Sequence, residues 1–396
     1  MIPYDYQVKI AEQALEIIRE NGLVYFAMEE RTGKTLSFLL MAELSAAKRV
    51  LVVTKKKAEA GIAEALANWE HDTYFRLTTY TQVHKIPVTN FDLVILDESH
   101  NYISSFPKVG TIHKALQKYC AGKPIAYSSA TPHAQSYSQL YHQFSLCAWS
   151  PWAKFKNFYH WFEKYGKPYN IEIQGINRPQ YDKTHVDKVQ ADVSKLFITK
   201  TREELGFEQE PEDVLHYIEP SDNLKKVYNI LLDQKIIQLS VGKLVCDSVS
   251  KLRTSLHQLE GGTIKIDNSY HLLSNSEKID YILNKWGDNE DLVIMYNFKA
   301  ELVKLETRFK KALILQATSY AEGVDLHKYN NLVIYSQDYS TARHNQRRAR
   351  QANIKRKTPI KVHFLLMVKG ISSQVYKTVS LNKRNYIDSL FNKDYL

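Results

Sequence analysis

The sequence predicts an α/β protein of two tandem lobes, each a parallel sheet covered by helices. Three observations carry that prediction. Short apolar, β-branched runs recur in two sets: Leu23–Met28, Val50–Thr54, Asp92–Leu96 and Pro124–Ser128, then Leu292–Tyr296, Leu313–Ala317, Leu332–Tyr335 and Ile360–Leu365. Runs this apolar belong to strands buried on both faces, hence to parallel sheets between helices. A long strand-poor stretch, Trp149 to Trp286, separates the two sets, and 396 residues exceed one small core.

Within that stretch, Leu224–Leu232 and Val249–Leu259 show helical spacing, and the whole of it reads as mainly helical. The expected division is a first lobe at 1–145, a helical insertion and linker at 146–215, and a second lobe at 216–396 that opens with a helical insertion at 216–287. No Gly/Ser linker, low-complexity tract or solenoid repeat interrupts the chain.

Composition narrows the function class. The apolar fraction of 44% and charged fraction of 24% are those of an ordinary folded domain. The net charge of +10 favours a polyanionic partner. From Tyr339 to Ile387 there is no acid, while Arg343, Arg347, Arg348, Arg350, Lys355, Arg356, Lys357 and Lys361 crowd together. Cys120, Cys147 and Cys246 fit no zinc or redox spacing and suggest a reducing compartment. Met1 to Leu15 has no apolar signal core, and no run approaches the roughly 20 residues of a bilayer span. A cytoplasmic protein without membrane contact is expected.

The first strand, Leu23 to Met28, leads into Glu29-Glu30-Arg31-Thr32-Gly33-Lys34-Thr35 and then an apolar helix pattern. Strand, loop, Gly-Lys-Thr and helix is the order a phosphate site needs, because loop amides and a helix N-terminus face the anion. Lys34 would reach the β- and γ-phosphates and the Thr35 hydroxyl would hold Mg²⁺. Met28 departs from the usual first glycine.

A second strand, Phe91 to Leu96, runs straight into Asp97-Glu98-Ser99-His100. Two adjacent carboxylates at an apolar strand end are costly unless they serve a metal or a base. Asp97 suits the Mg²⁺ shell, and Glu98 suits orientation and deprotonation of an attacking water. The plainer reading of each motif, a basic helix start and an acidic turn, gives way because both occur in one chain in this order.

Asp97-Glu98-Ser99-His100 resembles the DExH box of superfamily-two helicases and translocases, and further pieces resemble that family in order. Tyr6-Gln7 resembles the adenine-reading glutamine motif. Thr54 and Thr78-Thr79-Tyr80 resemble the strand-contact motifs of the first lobe, and Ser129-Ala130-Thr131-Pro132 the coupling motif. Leu292 to Asn297 resembles the opening motif of the second lobe, Gln316 to Leu326 the fifth motif, and Gln346-Arg347-Arg348-Ala349-Arg350 the arginine-bearing sixth. Within the superfamily the likeness is to compact, phage-type Swi/Snf-like members. It rests on Arg31-Thr32, Phe197 to Arg202, Ser221 to Leu224 with Val227-Tyr228, Lys251-Leu252-Arg253 and Ser276 to Ile279. The C-terminal Ser373 to Leu390 resembles the family's bracing helix.

The resemblance implies two RecA-like lobes and an ATP- and Mg²⁺-dependent ATPase. It implies nucleotide contacts from Gln7, Arg31, Thr32, Gly33, Lys34, Thr35, Gly323 and Asp325. It implies nucleic-acid contacts from Thr54, Lys55, Thr79, Arg202 and Thr318, and coupling through His100, Ser129, Thr131 and Gln346. The sixth motif fits two registers: Gln346 as motif glutamine with Arg350 as first arginine, or Arg347 and Arg350 as the arginine pair with Arg343 in place of the glutamine. The second keeps two arginines on one helix face. An arginine reaching the γ-phosphoryl group from the opposite lobe is worth roughly 10³ to 10⁵ in rate. Lys55-Lys56-Lys57 reads equally as a solvated charge run.

The expected activity is ATP-driven movement on double-stranded DNA, in replication, recombination or remodelling and with proteins of those processes as partners. A phage-encoded chain would act in the host cytoplasm. An RNA-dependent motor and a low-turnover ATP-gated clamp are the competing classes. The aromatic run Trp149 to Tyr165 reads as a core-facing stripe, with Trp161 off that stripe as its one candidate for a base-stacking wedge.

Overall fold

The computed structural model describes residues 2–88, 90–133, 135–173, 175–317 and 326–395. The chain forms two compact units, Met1–Gly206 and Phe207–Leu396. Each contains one parallel sheet covered by helices, as its apolar runs predict.

In the first unit, helix α1 (Asp5–Asn21) precedes β1 (Leu23–Phe26), α2 (Lys34–Leu44), β2 (Arg49–Thr54), α3 (Lys56–Ala67), β3 (Tyr74–Thr79), β4 (Leu93–Asp97), α4 (Thr111–Cys120), β5 (Ile125–Ser128), α5 (Gln139–Phe144) and α6 (Phe158–Tyr165). After the antiparallel hairpin β6 (Tyr169–Ile173) and β7 (Ile176–Gln180) comes the short β8 (Phe197–Ile198). The sheet order is β3-β2-β4-β5-β1-β8, all parallel. Alternate residues of one strand enter opposite cores. Leu23 and Tyr25 of β1 pack on one face and Val24 and Phe26 on the other, as do Val94 and Leu96 against Leu93 and Ile95 in β4. The centre of the order brings the C-terminal ends of β1, β4 and β5 side by side, which is where open parallel sheets present their loops.

The second unit contains β9 (Pro211–Ile218), the hairpins β10 (Ile236–Leu239) with β11 (Gly242–Val245) and β12 (Thr263–Ile266) with β13 (Ser269–Leu272), then β14 (Leu292–Tyr296), β15 (Leu313–Gln316), β16 (Asn331–Ile334) and β17 (Ile360–Met367). Its sheet runs β15-β14-β16-β17-β9, again parallel and again covered on both faces. Among the described residues no helix is long and apolar enough to cross a membrane.

The structure corrects three expectations. The segment 146–215 is divided between the units: Trp152, Phe158, Trp161, Phe162, Tyr165, Val189 and Leu196 complete the core of the first, which runs to Gly206, and the residues from Phe207 on belong to the second. Trp161 is fully buried among Tyr141, Trp152, Phe158 and Tyr165, so it is no wedge. The stretch read as mainly helical also carries three β-hairpins. In the last of them Asp267 and Asn268 take φ of 45° and 66°, the left-handed pair that a two-residue hairpin turn requires.

Candidate nucleotide site

The loop between β1 and α2 is fixed at its edge by the strand segment beside it. The Ala27 amide donates to the Ile198 carbonyl at 2.9 Å and the Glu29 amide to the Lys200 carbonyl at 3.0 Å. Met28, the departure from glycine, turns its side chain into the core under α2, fully buried. Its carbonyl faces the other way and accepts a hydrogen bond from Lys34 Nζ at 2.8 Å, as does that of Glu29. A side chain at this position therefore leaves the inner face of the loop clear.

Gly33 does need to be glycine. Its φ is 79°, and a Cβ there would lie 2.1 Å from Gln7 Nε2. Gln7 Oε1 accepts the Tyr4 amide at 2.9 Å, which fixes the side chain as α1 begins. The expected nucleotide contacts Gln7 and Gly33 thus touch in space. Thr32 is buried and donates to the Glu29 carbonyl at 2.7 Å; Arg31 takes a φ of 67°. Lys34 and Thr35 open α2. Burial lowers the Lys34 pKa, while Glu98, Glu30 and Asp97 oppose that shift.

Arg202, expected on the nucleic-acid surface, is turned onto this loop instead. Its amide donates to the Glu29 carboxylate at 2.8 Å, and its guanidinium donates to the Glu30 carbonyl at 3.2 Å. Ion pairs of 3.8 and 3.9 Å join it to Glu29 and Glu30. The guanidinium offsets the charge that these two acids place on the loop.

At the end of β4, Asp97 accepts a hydrogen bond from Thr54 Oγ1 at 2.7 Å, and its carbonyl accepts one from Tyr80 at 2.8 Å. Burial first, and the neighbouring Glu98 second, push the Asp97 carboxyl up to about 6. Glu98 sits at φ 51°, with Lys55 Nζ at 3.6 Å and His100 Nδ1 at 3.5 Å. Burial would raise its pKa, but Lys55, His100 and Lys34 outweigh that and hold it down. The pair is thus poised unequally, with Glu98 the member that stays ionised as pH falls. Thr54 and Lys55, expected to touch a nucleic-acid strand, face these carboxylates; Thr79 is 3.2 Å from the Thr81 hydroxyl.

His100 reaches the next motif. Its Nδ1 lies 2.6 Å from Ser129 Oγ and its Nε2 3.3 Å from Thr131 Oγ1, and the Thr131 amide donates to Ser129 Oγ at 2.9 Å. Burial lowers its pKa despite Glu98. Of the expected coupling residues, His100, Ser129 and Thr131 form one contact.

In the second unit, Arg347 donates to Asp338 at 3.0 Å, to the Ser336 carbonyl at 3.3 Å and to Asn297 at 3.4 Å, with its side chain 3% exposed. All three partners belong to its own unit. Arg350 lies in the 3₁₀ turn Ala349–Gln351, whose carbonyl accepts the Leu326 amide at 3.3 Å. Gln346 is half-buried on the preceding helix, Thr341–Arg348. Thr318, Gly323 and Asp325 lie outside the described residues. Part of the acid-free basic run is paired with acids outside it: Arg343 with the bordering Asp338, and Arg348 and Lys357 with the distant Asp213 and Glu208.

Sequence reasoning missed the Arg202 clamp, the anchoring role of Met28 and a buried carboxamide, Gln143, behind the acidic pair. The clamp had a signal, since Glu29 and Glu30 demand a cation. Gln143 lies outside any motif, and the direction of the Met28 side chain is set by a core that only the fold assembles.

No family model and no curated protein matches the chain. Among solved structures, it is similar to the SWI2/SNF2 ATPase core of Sulfolobus solfataricus in complex with double-stranded DNA, with a TM-score of 0.46 at 14% identity over 99% of this chain and 92% of that one. It is similar also to the SWI2/SNF2 ATPase core domain of that organism, with a TM-score of 0.43 at 14% identity over 98% and 93%.

Proposed function

We propose that the chain is an ATP-driven DNA translocase of the Swi/Snf-like kind, in which the first unit binds and activates ATP and Arg350 of the second completes the site. The observation that carries this reading is the convergence of Lys34, which opens the helix after β1, with Asp97 and Glu98 at the end of β4, on the two strands that flank β5, with Gln7 packed on Gly33. Phosphoryl transfer asks for that set: a cation for the β- and γ-phosphates, a metal-binding carboxylate and a group that orders water.

Lys34 would exchange its two loop carbonyls for phosphate oxygens. Thr35 and Asp97 suit Mg²⁺, a hard cation that takes few protein oxygens and completes its shell with phosphate and water. Bound there, the ion neutralises charge on the β- and γ-phosphates. Glu98, ionised at neutral pH, would accept the proton of the attacking water as the bond to the γ-phosphorus forms and the bond to the leaving ADP oxygen breaks. His100, Ser129 and Thr131 would carry the resulting shift away from the acids.

Duplex DNA as the track, and phage-type replication, recombination or remodelling as the setting, follow from the Swi/Snf-like motifs. A motor must hold phosphate rather than bases. One observation favours a second reading, a slow ATP-gated clamp: Arg347, one of the two arginines paired in the sixth motif, is engaged by Asp338 of its own unit.

The test is steady-state phosphate release with duplex DNA, single-stranded DNA and RNA, alongside displacement of a triplex-forming strand. Stimulation by duplex DNA with triplex displacement is expected. Stimulation by RNA alone would make it an RNA motor, and absence of sustained release with any polymer would make it a clamp.

A further inference from the structure

Gln143, at the last turn of α5, is fully buried and joins two motifs of the first unit that are far apart in sequence. Its Oε1 accepts from the Tyr25 hydroxyl at 2.9 Å and from Ser99 Oγ at 2.7 Å. Its Nε2 donates to the carbonyls of Pro132 at 2.8 Å and Gln139 at 3.0 Å. Those carbonyls can only accept, so the orientation of the amide is forced. Tyr25 and Ser99 lie 3.0 Å apart, which closes a triangle of oxygens. The backbone carbonyl of Gln143 accepts in turn from the Tyr127 hydroxyl at 2.7 Å.

Ser99 directly follows Glu98, and Pro132 ends Ser129-Ala130-Thr131-Pro132. Both hydrogen-bonding ends of one rigid carboxamide are therefore used, one on the acidic strand end and the other on the loop that His100 also reaches. A side chain with every donor and acceptor satisfied cannot yield at one end without displacing the other. Apart from asparagine, which is one methylene shorter, no side-chain type supplies two acceptor sites and two donors in this fork.

We infer that Gln143 is a positioning residue that acts as a second link between the acidic pair and the Ser129–Pro132 loop, parallel to His100, so that nucleic acid binding on the loop side sets the position of Glu98. This rests on the motor reading above. Gln143 touches neither nucleotide nor metal ligands; it acts through Ser99 and Pro132.

A single Gln143→Leu substitution strands buried hydroxyls and destabilises the fold, so it cannot by itself separate support from coupling. The triple variant Tyr25→Phe, Ser99→Ala, Gln143→Met removes the polar partners together, which restores packing without the link. Wild type, the triple variant and Ser99→Ala are compared by thermal unfolding and by ATP turnover with and without duplex DNA. The triple variant is expected to unfold near the wild-type temperature, to keep its KM for ATP within about twofold, and to lose about tenfold of its DNA stimulation, within the usual range of coupling energies. Ser99→Ala, which removes one corner of the triangle and leaves the Tyr25 and Pro132 contacts of Gln143, is expected to lose stimulation in part and serves alone if the triple variant does not fold. Full stimulation in a folded triple variant, or in Ser99→Ala where the triple does not fold, overturns the link while leaving the motor intact. A wild-type protein that no nucleic acid stimulates overturns the motor reading and the link with it.

Discussion

Ionisation separates the two acids of the candidate site. Glu98 is held ionised by Lys55, His100 and Lys34, whereas burial and Glu98 push Asp97 up to about 6. In the free protein Asp97 therefore takes up a proton as pH falls from about 7 toward about 5. Mg²⁺ needs the carboxylate, so binding of Mg²⁺ and nucleotide must release that proton, and affinity is favoured at higher pH. Titration calorimetry in buffers of different ionisation enthalpy should show proton release below about pH 6 and a weakening of up to about tenfold per pH unit. Affinity independent of pH across that window would remove Asp97 from the metal shell. Glu98→Gln should bind nucleotide normally and lose roughly 10²- to 10⁴-fold in turnover, the usual worth of a general base. The acidic pair was readable because carboxylates at an apolar strand end stand out in any sequence. The side-chain directions of Arg202 and Arg347 were not readable, since each is decided by acids that only folding brings near.

The strands show where pattern is enough and where it is not. Every apolar run became a strand, because burial on both faces leaves no polar residue to break the run. The strands β3 and β9 escaped notice for the opposite reason. The first half of β3 is solvent-facing, and β9 carries Asp213, whose charge is met by Arg348, Tyr376 and Ser380. The hairpin at Asp267-Asn268 was legible from its turn residues and was masked by the helical spacing around it. The loop holding Met28 makes a sharper case. Family pattern alone would restore glycine there, yet its side chain fills the core beneath α2. Met28→Gly should cost about 2 to 5 kcal/mol of stability, read by denaturant unfolding, because it leaves a cavity. A variant as stable as wild type would show that the loop, not the core, sets this residue. Trp161→Ala should likewise cost about 3 to 5 kcal/mol, as a core residue does and a wedge does not.

At the scale of the whole molecule, the proposed motor takes the groups that bind the phosphates and prepare the water from the first unit and Arg350 from the second. In that proposal hydrolysis becomes movement because turnover depends on groups carried by two bodies. Arg347 is bound by Asp338 and Asn297 of its own unit. The most direct measurement is DNA-stimulated ATP turnover of Arg350→Ala beside wild type, with nucleotide affinity taken on the same preparations. Turnover should fall by about 10³-fold or more while ATP still binds within a few-fold of wild type. Undiminished turnover in Arg350→Ala would contradict a site shared by the two units.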